Sequence, residues 1–423
     1  MKKTAIWLMV SCLMVASLLS CAPATVEEEE AGVVTPGEEE VVVTEEEVAE
    51  EEVVVTEEEV AEEEVVVTEE EVAEEEVVEE VAEEPPDTPP MVRGTVDPDI
   101  SVDIYEPDLV WAGTTLLADC HDPDRRGIEG DYFVRIIEVN MLGEIVWEYV
   151  VPEELGRHTN TGLDVELLPD DNILFVLPHN GVYEINRNGD IVWSNLDADH
   201  VPNLNTLVLN LDSKVTHDAD RLPNGNTLVV YGGDEKSDAQ VKEINPEGEI
   251  VWSWYAKDHF DKPPYNDIYH QGWLHTNAVT RLPNGNTLIS PRNFDFMVEL
   301  DPQGSVVRTI GEGVFDGQHD PEVLPNGNIL LANHGRPHRA IEFDPETGEI
   351  VWEYAVRDPQ NYPVRDTDRL PNGNTLITGS HKIMEVTPEG KIVWQLSLKG
   401  ITFEGLDAAG YGFYKAERIG IQG

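Results

Sequence analysis

The chain has 423 residues and a formal net charge of −58, which results from 85 acidic and 27 basic residues. A charge of this sign disfavours nucleic acid as a partner, because binding to phosphates depends on Lys and Arg. With only three cysteines, the chain cannot carry a disulfide framework.

The first 20 residues are typical of a secretion signal, with Lys2 and Lys3 ahead of an apolar run from Ala5 to Leu19. The run is shorter than the stretch of about 20 apolar residues that a transmembrane helix needs. The sequence Leu-Leu-Ser-Cys that ends at Cys21 resembles a lipobox, and it predicts cleavage before Cys21 and lipidation of that residue. We therefore expect an exported lipoprotein, held to a membrane through its N-terminal lipid, at the cell surface or in the periplasm. An ordinary signal peptide followed by a chance cysteine is the alternative.

Residues 21–90 form a low-complexity segment. The twelve-residue unit Val-Val-Val-Thr-Glu-Glu-Glu-Val-Ala-Glu-Glu-Glu occurs three times without change, at Val41–Glu52, Val53–Glu64 and Val65–Glu76. Like charges at this density repel one another, so we expect a disordered, solvated spacer rather than a packed domain. Weak, nonspecific cation binding is the functional alternative for this segment.

Residues 91–423 contain a repeated motif, and we expect them to fold as a β-propeller. Arg-Leu-Pro-Asn-Gly-Asn-Thr-Leu occurs at Arg221–Leu228, Arg281–Leu288 and Arg369–Leu376. A near copy lies at Val323–Leu330, and a degenerate copy lies at Leu167–Leu174. Pro-Asn-Gly-Asn between apolar runs predicts a hairpin turn, and recurrence at about 40–60 residues is the period of a propeller or another array.

A second half-motif follows each copy, as in Val241–Trp252, and reads as strand, Pro/Gly turn and strand. One unit is thus a blade of four antiparallel strands, A to D, and the second halves predict six blades. The tryptophans that end the D strands are expected to pack between blades: Trp147, Trp193, Trp252, Trp352 and Trp394.

The first blade is divided between the two ends of the folded part. Leu109–Ala118 resembles a B strand without its A strand, and Tyr414–Ile419 resembles the A-strand segment His217–Leu222. We expect the C-terminal strand to complete the first blade, because an open ring would expose two edges of unpaired backbone groups.

Strand polarity predicts where the chemistry lies. The A–B and C–D turns share one face of the ring, so the B–C and D–A loops share the opposite face. The D–A loops and A-strand starts supply His158, His217, His270, His275, Asn277, His319 and Arg365. The B–C loops supply His121, His179, Arg292, Asn293, Asn333, His334, Arg336, His338, Arg339 and His381.

Imidazoles and guanidinium groups around one opening favour binding of a small oxyanion such as sulfate or phosphate. A neutral histidine can also act as a nucleophile or general base. A metal site is the second interpretation, and we predict no metal and no cofactor, since the chain lacks a His-x-x-x-His helix and a Cys/His cluster.

Several stretches resemble the bacterial aryl sulfotransferases, which are six-bladed propellers that do not use PAPS. They are Trp273-Leu274-His275-Thr276-Asn277-Ala278, Ser290-Pro291-Arg292-Asn293, Gly317-Gln318-His319-Asp320 and Ala332-Asn333-His334-Gly335-Arg336. The Asn-His-Gly loop departs from the Asp-Asn-Gly typical of the family, and the extra N-terminal β domain of the best-known members is missing from this chain.

The resemblance implies transfer of a sulfuryl group from a phenolic sulfate ester to a phenol through a sulfo-histidine. It implies that His275 and His319 hold the sulfuryl oxygens, with Arg336 as the arginine, or else Arg339. By the same resemblance His381 is the nucleophile.

Further substrate contacts are expected from the same loops: Asn277, Arg292, Asn333, His334, Arg339, His217 and Trp273. His217 is the candidate base, and Trp273, Tyr269 and Phe294 could flank an aryl ring or simply pack. The recurring pairs Asp218/Asp220, Asp320/Glu322 and Asp366/Asp368 are expected to be structural. Two other functions stay open: a non-catalytic anion- or glycan-binding propeller, and a metal-dependent hydrolase or lyase.

Overall fold

A computed structural model describes residues 92–120, 134–152, 155, 163–178, 180–195, 215–231, 236–268, 270, 272–399 and 412–421. The signal segment, Cys21 and the acidic repeats lie outside the described residues, as do His121, His158, His179, His200 and Tyr269. None of the described helices is long and apolar enough to span a membrane.

The described residues form 26 strands, which are numbered in chain order. The first nine are β1 (Thr95–Val96), β2 (Ile100–Tyr105), β3 (Gly113–Asp119), β4 (Arg135–Val139), β5 (Glu144–Val150), β6 (Val165–Leu167), β7 (Ile173–Leu177), β8 (Gly181–Ile185) and β9 (Ile191–Ser194). The next eight are β10 (Val215–Arg221), β11 (Thr227–Tyr231), β12 (Val241–Ile244), β13 (Ile250–Trp254), β14 (Thr276–Arg281), β15 (Thr287–Pro291), β16 (Met297–Leu300) and β17 (Val306–Ile310). The last nine are β18 (Gln318–Val323), β19 (Ile329–Asn333), β20 (Arg339–Asp344), β21 (Glu349–Ala355), β22 (Val364–Arg369), β23 (Thr375–Gly379), β24 (Lys382–Val386), β25 (Ile392–Leu398) and β26 (Phe413–Gly420).

Helical structure in the described ranges is confined to single turns between strands. They are the α-helix α1 (Lys257–Phe260) and three 3₁₀ turns at Tyr265–Asp267, Arg292–Phe294 and Pro359–Asn361.

The strands form six antiparallel sheets, which confirms the predicted six-bladed propeller. Blade 1 contains β26, β3, β4 and β5; blade 2 contains β6–β9; blade 3, β10–β13; blade 4, β14–β17; blade 5, β18–β21; and blade 6, β22–β25. The C-terminal strand β26 is the inner strand of blade 1, where Leu117 pairs with Ala416. The predicted ring closure is therefore confirmed.

The N-terminal segment adds a second closure that the repeat pattern does not predict. Strand β1 pairs with β5 at the outer edge of blade 1, and β2 pairs with β25 at the outer edge of blade 6. The two blades that meet at the ring closure thus have five strands each, and both chain ends of the folded part take part in the closure.

The repeated turn has the geometry that its residues demand. In the first copy the Gly225 N–H donates to the Leu222 carbonyl, and Gly225 has a φ of 86°. A glycine tolerates this left-handed conformation without steric cost. The corresponding glycines Gly285, Gly327 and Gly373 have φ values of 88°, 88° and 89°.

The arginine of the motif joins adjacent blades. It lies over a tryptophan of the preceding blade and pairs with a glutamate on that blade's C strand. The ion pairs are Arg221–Glu184 at 2.8 Å, Arg281–Glu243 at 2.7 Å, Arg369–Glu342 at 2.8 Å and Arg418–Glu385 at 3.0 Å. The same glutamates accept from an asparagine of their own blade's A–B turn, as in Asn226 to Glu243 at 2.6 Å.

Tryptophans of the D strands complete this contact from the other side. Each indole N–H donates to a carbonyl in a turn of the next blade: Trp147 to Arg187 at 2.9 Å, Trp193 to Pro246 at 3.1 Å, Trp254 to Gly304 at 3.1 Å, Trp352 to Pro388 at 2.9 Å and Trp394 to Met141 at 3.0 Å. The predicted packing role of these residues is confirmed, with Trp254 rather than Trp252 as the donor in blade 3.

The contact between blades 4 and 5 is built differently. Val323 occupies the position of the motif arginine, and Arg308 occupies the position of the D-strand tryptophan. The Arg308 guanidinium pairs with Glu299 on its own blade at 2.7 Å. A cation still neutralises the C-strand glutamate there, although it comes from the same blade.

Candidate functional site

The A strands place three residues of each blade at the axis of the ring. Counting back from the motif arginine, the fourth residue before it forms a first layer of Leu163, His217, Asn277, His319, Arg365 and Tyr414. The third residue before it forms a second layer of Asp164, Asp218, Ala278, Asp320, Asp366 and Lys415. The residue directly before it forms a third layer of Glu166, Asp220, Thr280, Glu322, Asp368 and Glu417. One end of the axis is thus rich in imidazoles and the other in carboxylates.

Two histidines from neighbouring blades meet in the first layer. The Nε2 atoms of His217 and His275 lie 3.2 Å apart, so one ring can donate to the other. The phenol ring of Tyr414, on the closing strand, stacks on His217 with centroids 5.6 Å apart. The predicted candidate base His217 therefore lies beside His275, as a shared axial pocket requires.

A second pair of imidazoles stands on blade 5. His319 and His334 stack with ring centroids 3.6 Å apart, and His338 follows His334 at 6.3 Å. The Nδ1 atom of His319 lies 2.9 Å from the Gly317 carbonyl oxygen. Because a carbonyl can only accept, we assign the proton to Nδ1, and Nε2 then carries a lone pair.

Two arginines, Arg365 buried and Arg292 partly buried, supply positive charge to these histidines. Arg365 is only 2% exposed, and its Nη1 donates to the Phe413 carbonyl at 2.7 Å. Burial lowers the pKa of Arg365 to about 10, so the guanidinium stays charged at neutral pH. Burial also lowers the pKa of Arg292, while Tyr414 and Asp295 act against that shift.

Burial and charge keep the two stacked histidines neutral. The pKa of His319 is lowered well below its ordinary value by burial, and further by His334, Arg292 and His275. The pKa of His334 is lowered well below its ordinary value by burial, and further by Arg292 and Arg365. These mutual effects show that His275, His319, His334, Arg292 and Arg365 share one electrostatic environment.

Two asparagines of the predicted set support the loop that carries His319. Asn277 donates through Nδ2 to the Gln318 carbonyl at 2.8 Å. Asn333 accepts from the Asp316 N–H at 2.8 Å. Both side chains are buried, so they position the strand start Gln318–His319 from two sides.

The resemblance predicted one arginine at the sulfuryl oxygens, Arg336 or else Arg339. Arg336 is exposed, and its charge acts on His338. The Arg339 guanidinium pairs at 2.5 Å with Glu353 on the outer strand of its own blade. The role predicted for one of these two arginines stays a prediction, while Arg292 and Arg365 are the guanidinium groups whose charges act on His319 and His334.

The predicted aryl-flanking residues belong to the hydrophobic core. Trp273 is 1% exposed, packs against Phe294 and donates its indole N–H to the Tyr265 carbonyl at 2.8 Å. Phe294 also contacts Phe260 and Phe296. Of the two alternatives, packing is the correct one for Trp273 and Phe294.

His381, the predicted nucleophile, is buried in the B–C loop of blade 6. Its N–H donates to Asn361 Oδ1 at 3.1 Å, and its carbonyl accepts from the Leu398 N–H. The preceding carbonyl, of Ser380, accepts from the Phe413 N–H next to Tyr414. The residue before His381 is thus hydrogen-bonded to the closing strand. The described contacts between axial imidazoles involve His217, His275, His319 and His334.

The carboxylate layers bind the inner strands to one another. In the second layer, Asp164 accepts from the Ala219 N–H, Asp218 from Val279 and Asp366 from Ala416. In the third layer, Glu166 accepts from the Arg221 N–H, Glu322 from Arg369 and Glu417 from Leu167. Each of these six carboxylates thereby reaches a backbone donor of the next blade. Of the recurring acidic pairs, Asp218, Asp366 and Glu322 therefore have the structural contact that was predicted.

The sequence predicted Arg365 among the A-strand starts of the candidate face, whereas Tyr414 was predicted only as part of the closing strand. Both occupy the position of His217 and His319, four residues before the motif arginine. Aligning all six inner strands on that arginine would have placed both residues at the axis.

Comparison with known proteins gives one family. Residues 129–313 match the family model "Arylsulfotransferase (ASST)". This range includes His217, His275 and Arg292 and ends before His319. No curated protein matches the chain.

Solved structures with similar architecture are distant in sequence. A protein of unknown function from Bacteroides caccae is 20% identical, with 68% of this chain and 94% of that chain covered and a TM-score of 0.47. Virginiamycin B lyase from Staphylococcus aureus is 14% identical, with 74% of this chain and 92% of that chain covered and a TM-score of 0.42. At these values the likeness extends no further than the fold. The match over residues 129–313 supports the resemblance to the arylsulfotransferases that was predicted from the sequence.

Proposed function

We propose that this protein transfers a sulfuryl group from a phenolic sulfate ester to a phenol through a sulfo-histidine formed at the imidazole end of the axis. The observation that carries the proposal is the convergence of four histidines and two arginines from several blades on one end of the ring, in a chain with an arylsulfotransferase match. No cofactor is required for this chemistry.

Recognition of the ester rests on cationic and neutral donors around three sulfuryl oxygens. Arg292 and Arg365 are the guanidinium groups in the electrostatic environment of His319 and His334. In the transition state the sulfuryl group becomes SO₃-like and its charge spreads over the three oxygens. Fixed donors stabilise that state more than the free ester, and one donor commonly contributes about 10²–10³ in rate.

The first step requires a neutral imidazole with an available lone pair. His319 fits best, because Nδ1 is held by the Gly317 carbonyl and the lowered pKa keeps the ring neutral. Its Nε2 attacks sulfur, an N–S bond forms, the S–O bond to the aryl group breaks, and the phenolate leaves with the bonding electron pair.

In the second step a phenol attacks the sulfo-histidine. Its oxygen forms the new S–O bond, the N–S bond breaks, and the histidine recovers its electron pair. The phenolic proton passes to a neighbouring base, for which the pair His217 and His275 is placed. The role of His381 as nucleophile, implied by the family resemblance, stays a prediction, and it competes directly with His319.

The test is release of p-nitrophenol from its sulfate ester, measured with and without an added phenol. Transfer predicts that the phenol accelerates release and appears as its sulfate ester. Mass spectrometry of peptides from protein incubated with the donor alone then identifies the sulfated histidine. Modification in the peptide containing His319 supports our assignment, and modification of His381 alone would reassign the nucleophile.

Other outcomes would replace the proposal. Tight sulfate binding without p-nitrophenol release would indicate an anion-binding propeller. Turnover that stops after removal of divalent metal would indicate a metal-dependent hydrolase or lyase. A matched control is His259→Ala. His259 belongs to α1 and stacks on Trp254, and its described contacts do not include the axial imidazoles.

We also propose that residues 1–20 direct export, that Cys21 carries a lipid and that residues 21–90 separate the membrane from the propeller. The motif ending at Cys21 supports this. Incorporation of labelled palmitate into the wild-type chain but not into the Cys21→Ser variant would be the expected result, and equal labelling of both would contradict it.

A further inference from the structure

The opposite end of the axis contains a cavity of about 310 Å³ that the proposed reaction does not use. Its lining includes Asp218, Asp220, Asp320, Glu322, Asp368 and Lys415. Carboxylates that face one another across a buried cavity repel, and they require either protons or cations for compensation.

The ammonium group of Lys415 compensates only one side of this cavity. Its Nζ lies 3.2 Å from Asp164 and 3.1 Å from Asp320. Among the described contacts no ammonium or guanidinium group pairs with Asp366 or Asp368, both on β22 of blade 6. Of the three aspartates at this place, Asp320 thus shares the ammonium group of Lys415, whereas Asp366 and Asp368 have no cation of their own among the described contacts.

Three carboxylates at that place have the spacing of a cation site. One oxygen each of Asp320, Asp366 and Asp368 can be chosen so that all three lie within 4.8 Å of one another. Oxygen ligands about 2.3–2.6 Å from a Ca²⁺ ion are separated by at most about 5 Å, so a single ion can contact all three.

A second observation points to a missing ligand. Asp366 is 1% exposed; its Oδ2 accepts from the Ala416 N–H at 3.0 Å, whereas its Oδ1 has no hydrogen-bond partner within the described part of the chain. Its carboxyl group also approaches that of Asp320 within hydrogen-bonding reach, an arrangement of two acceptors that needs a proton or a cation between them.

Asp368 differs from the glutamates of its layer. Glu166, Glu322 and Glu417 each accept from a backbone N–H of the next blade. The aspartate is one methylene shorter, and for it the described residues provide no such donor. Its carboxylate therefore remains available at the cavity.

We propose that Asp320, Asp366 and Asp368 bind one Ca²⁺ ion in the axial cavity and that this ion joins blades 5 and 6. Hard carboxylate ligands suit Ca²⁺ or Mg²⁺, and the irregular arrangement of oxygens from two strands favours Ca²⁺, since Mg²⁺ demands near-ideal octahedral geometry. The site lies at the carboxylate end of the axis and does not depend on the sulfuryl-transfer proposal.

The experiment is thermal unfolding of the purified full chain, stripped with a chelator and then supplied with Ca²⁺ or Mg²⁺. Unfolding is followed by tryptophan fluorescence, because residues 22–90 contain no tryptophan and their acidic repeats do not contribute to this signal. Ca²⁺ at a hundredfold excess over its Kd should raise Tm by roughly 3–6 °C. The same addition should leave the Tm of Asp368→Asn and Asp366→Asn unchanged.

The control variant is Asp108→Asn, which makes the same charge change at an exposed position and should respond to Ca²⁺ like the wild type. Because Asp368→Asn removes a repelling charge without removing a described hydrogen bond, it should fold with the Tm of the stripped wild type or a higher one. Equal Tm increases in all variants, or none in the wild type, would overturn the site and leave a proton shared by Asp320 and Asp366. Since p-nitrophenol release is measured separately, failure of either proposal is distinguishable from failure of the other.

Discussion

The two ends of the axis are formed by the same six inner strands, but their side chains make different contacts. At one end the first-layer residues include His217, His319 and Arg365, and the two histidines contact the loop imidazoles of His275 and His334. At the other end the neighbouring positions are carboxylates that accept backbone N–H groups from the next blade. Adjacent positions of one strand thus have different roles: one is available to a ligand, and the next binds the backbone of the neighbouring blade. The first layer differs from blade to blade, as the proposed chemistry needs, whereas most blades supply a carboxylate to the two acidic layers.

The largest expected effect is on activity. His319→Ala should lower p-nitrophenol release about 10³-fold or more, because the atom proposed to form the N–S bond is lost. The His259→Ala variant should keep nearly full activity, and both variants should have Tm values close to that of the wild type. A His319→Ala protein that retains a tenth of the wild-type rate would remove His319 from the mechanism and leave His381 as the candidate.

The second prediction concerns the stability of the ring closure, and the free-energy change expected there is similar to that expected for the rate. The Arg418 side chain is 0% exposed, pairs with Glu385 at 3.0 Å, donates to the Trp111 carbonyl and lies over Trp394. Arg418→Ala should lower the free energy of unfolding by about 3–5 kcal/mol, because it leaves a buried carboxylate without its cation.

Urea unfolding checks this value, and Arg339→Ala is the matched control. Arg339 pairs with Glu353, whose side chain is 52% exposed, and loss of such a surface pair should cost about 1 kcal/mol or less. Equal losses in the two variants would mean that burial of the Arg418 pair contributes nothing to the closure.

The sequence predicted the repetitive part of the molecule well because each blade solves the same packing problem. The Pro-Asn-Gly-Asn turns gave the strand order, and the similarity of Tyr414–Ile419 to His217–Leu222 gave the closure. The outer strands β1 and β2 were missed because they carry no copy of the repeat, and their pairing depends on edges that exist only once blades 1 and 6 have formed.

The strand positions of the candidate site were predicted directly, whereas the loop positions were predicted in part: His275, His334 and Arg292 lie with the imidazoles, and other loop residues do not. His217 and His319 belong to A strands, so their direction follows from strand periodicity. Arg336 and Trp273 lie in loops, where the direction of a side chain depends on tertiary contacts: Arg336 is exposed, and the Trp273 indole is held by the Tyr265 carbonyl. A motif that fixes residue identity in a loop does not fix where the side chain points.

The pH dependence of activity offers a smaller but more specific test of the imidazole end. The pKa of His319 is lowered well below its ordinary value of about 6.5, so the ring stays neutral when the pH falls somewhat below that value. We expect kcat/KM to be constant from pH 8 to 6.5 and to fall only at lower pH, when Nε2 becomes protonated. An acidic limb centred at or above pH 6.5 would show that the essential histidine is exposed.

The same shift has a consequence for stability. Since the folded pKa is depressed, His319 binds fewer protons in the folded chain than in the unfolded one below about pH 6.5, and its contribution to the free energy of unfolding decreases as the pH falls through that range. His334 contributes in the same direction. In His319→Ala this decrease should be shallower, which urea unfolding at pH 7 and pH 5.5 would reveal.

The smallest expected effect concerns the carboxylate end. Burial and the neighbouring Asp220 raise the pKa of Glu166 to about 8, while its Oε2 accepts from the Arg221 N–H at 3.2 Å. Between the ordinary pKa and this raised value the folded chain holds a proton that the unfolded chain has lost, so Glu166 makes stability fall as pH rises through that window.

Glu166→Gln keeps an acceptor for the Arg221 N–H and cannot ionise. Its Tm should therefore fall less between pH 6 and pH 9 than that of the wild type, by roughly 1–3 °C. Glu247→Gln, at an exposed turn, should match the wild type at both pH values. If Glu166→Gln instead lowers Tm at both pH values alike, the carboxylate acts only through its hydrogen bond, and the charge on this layer has no cost that a cation or proton must offset.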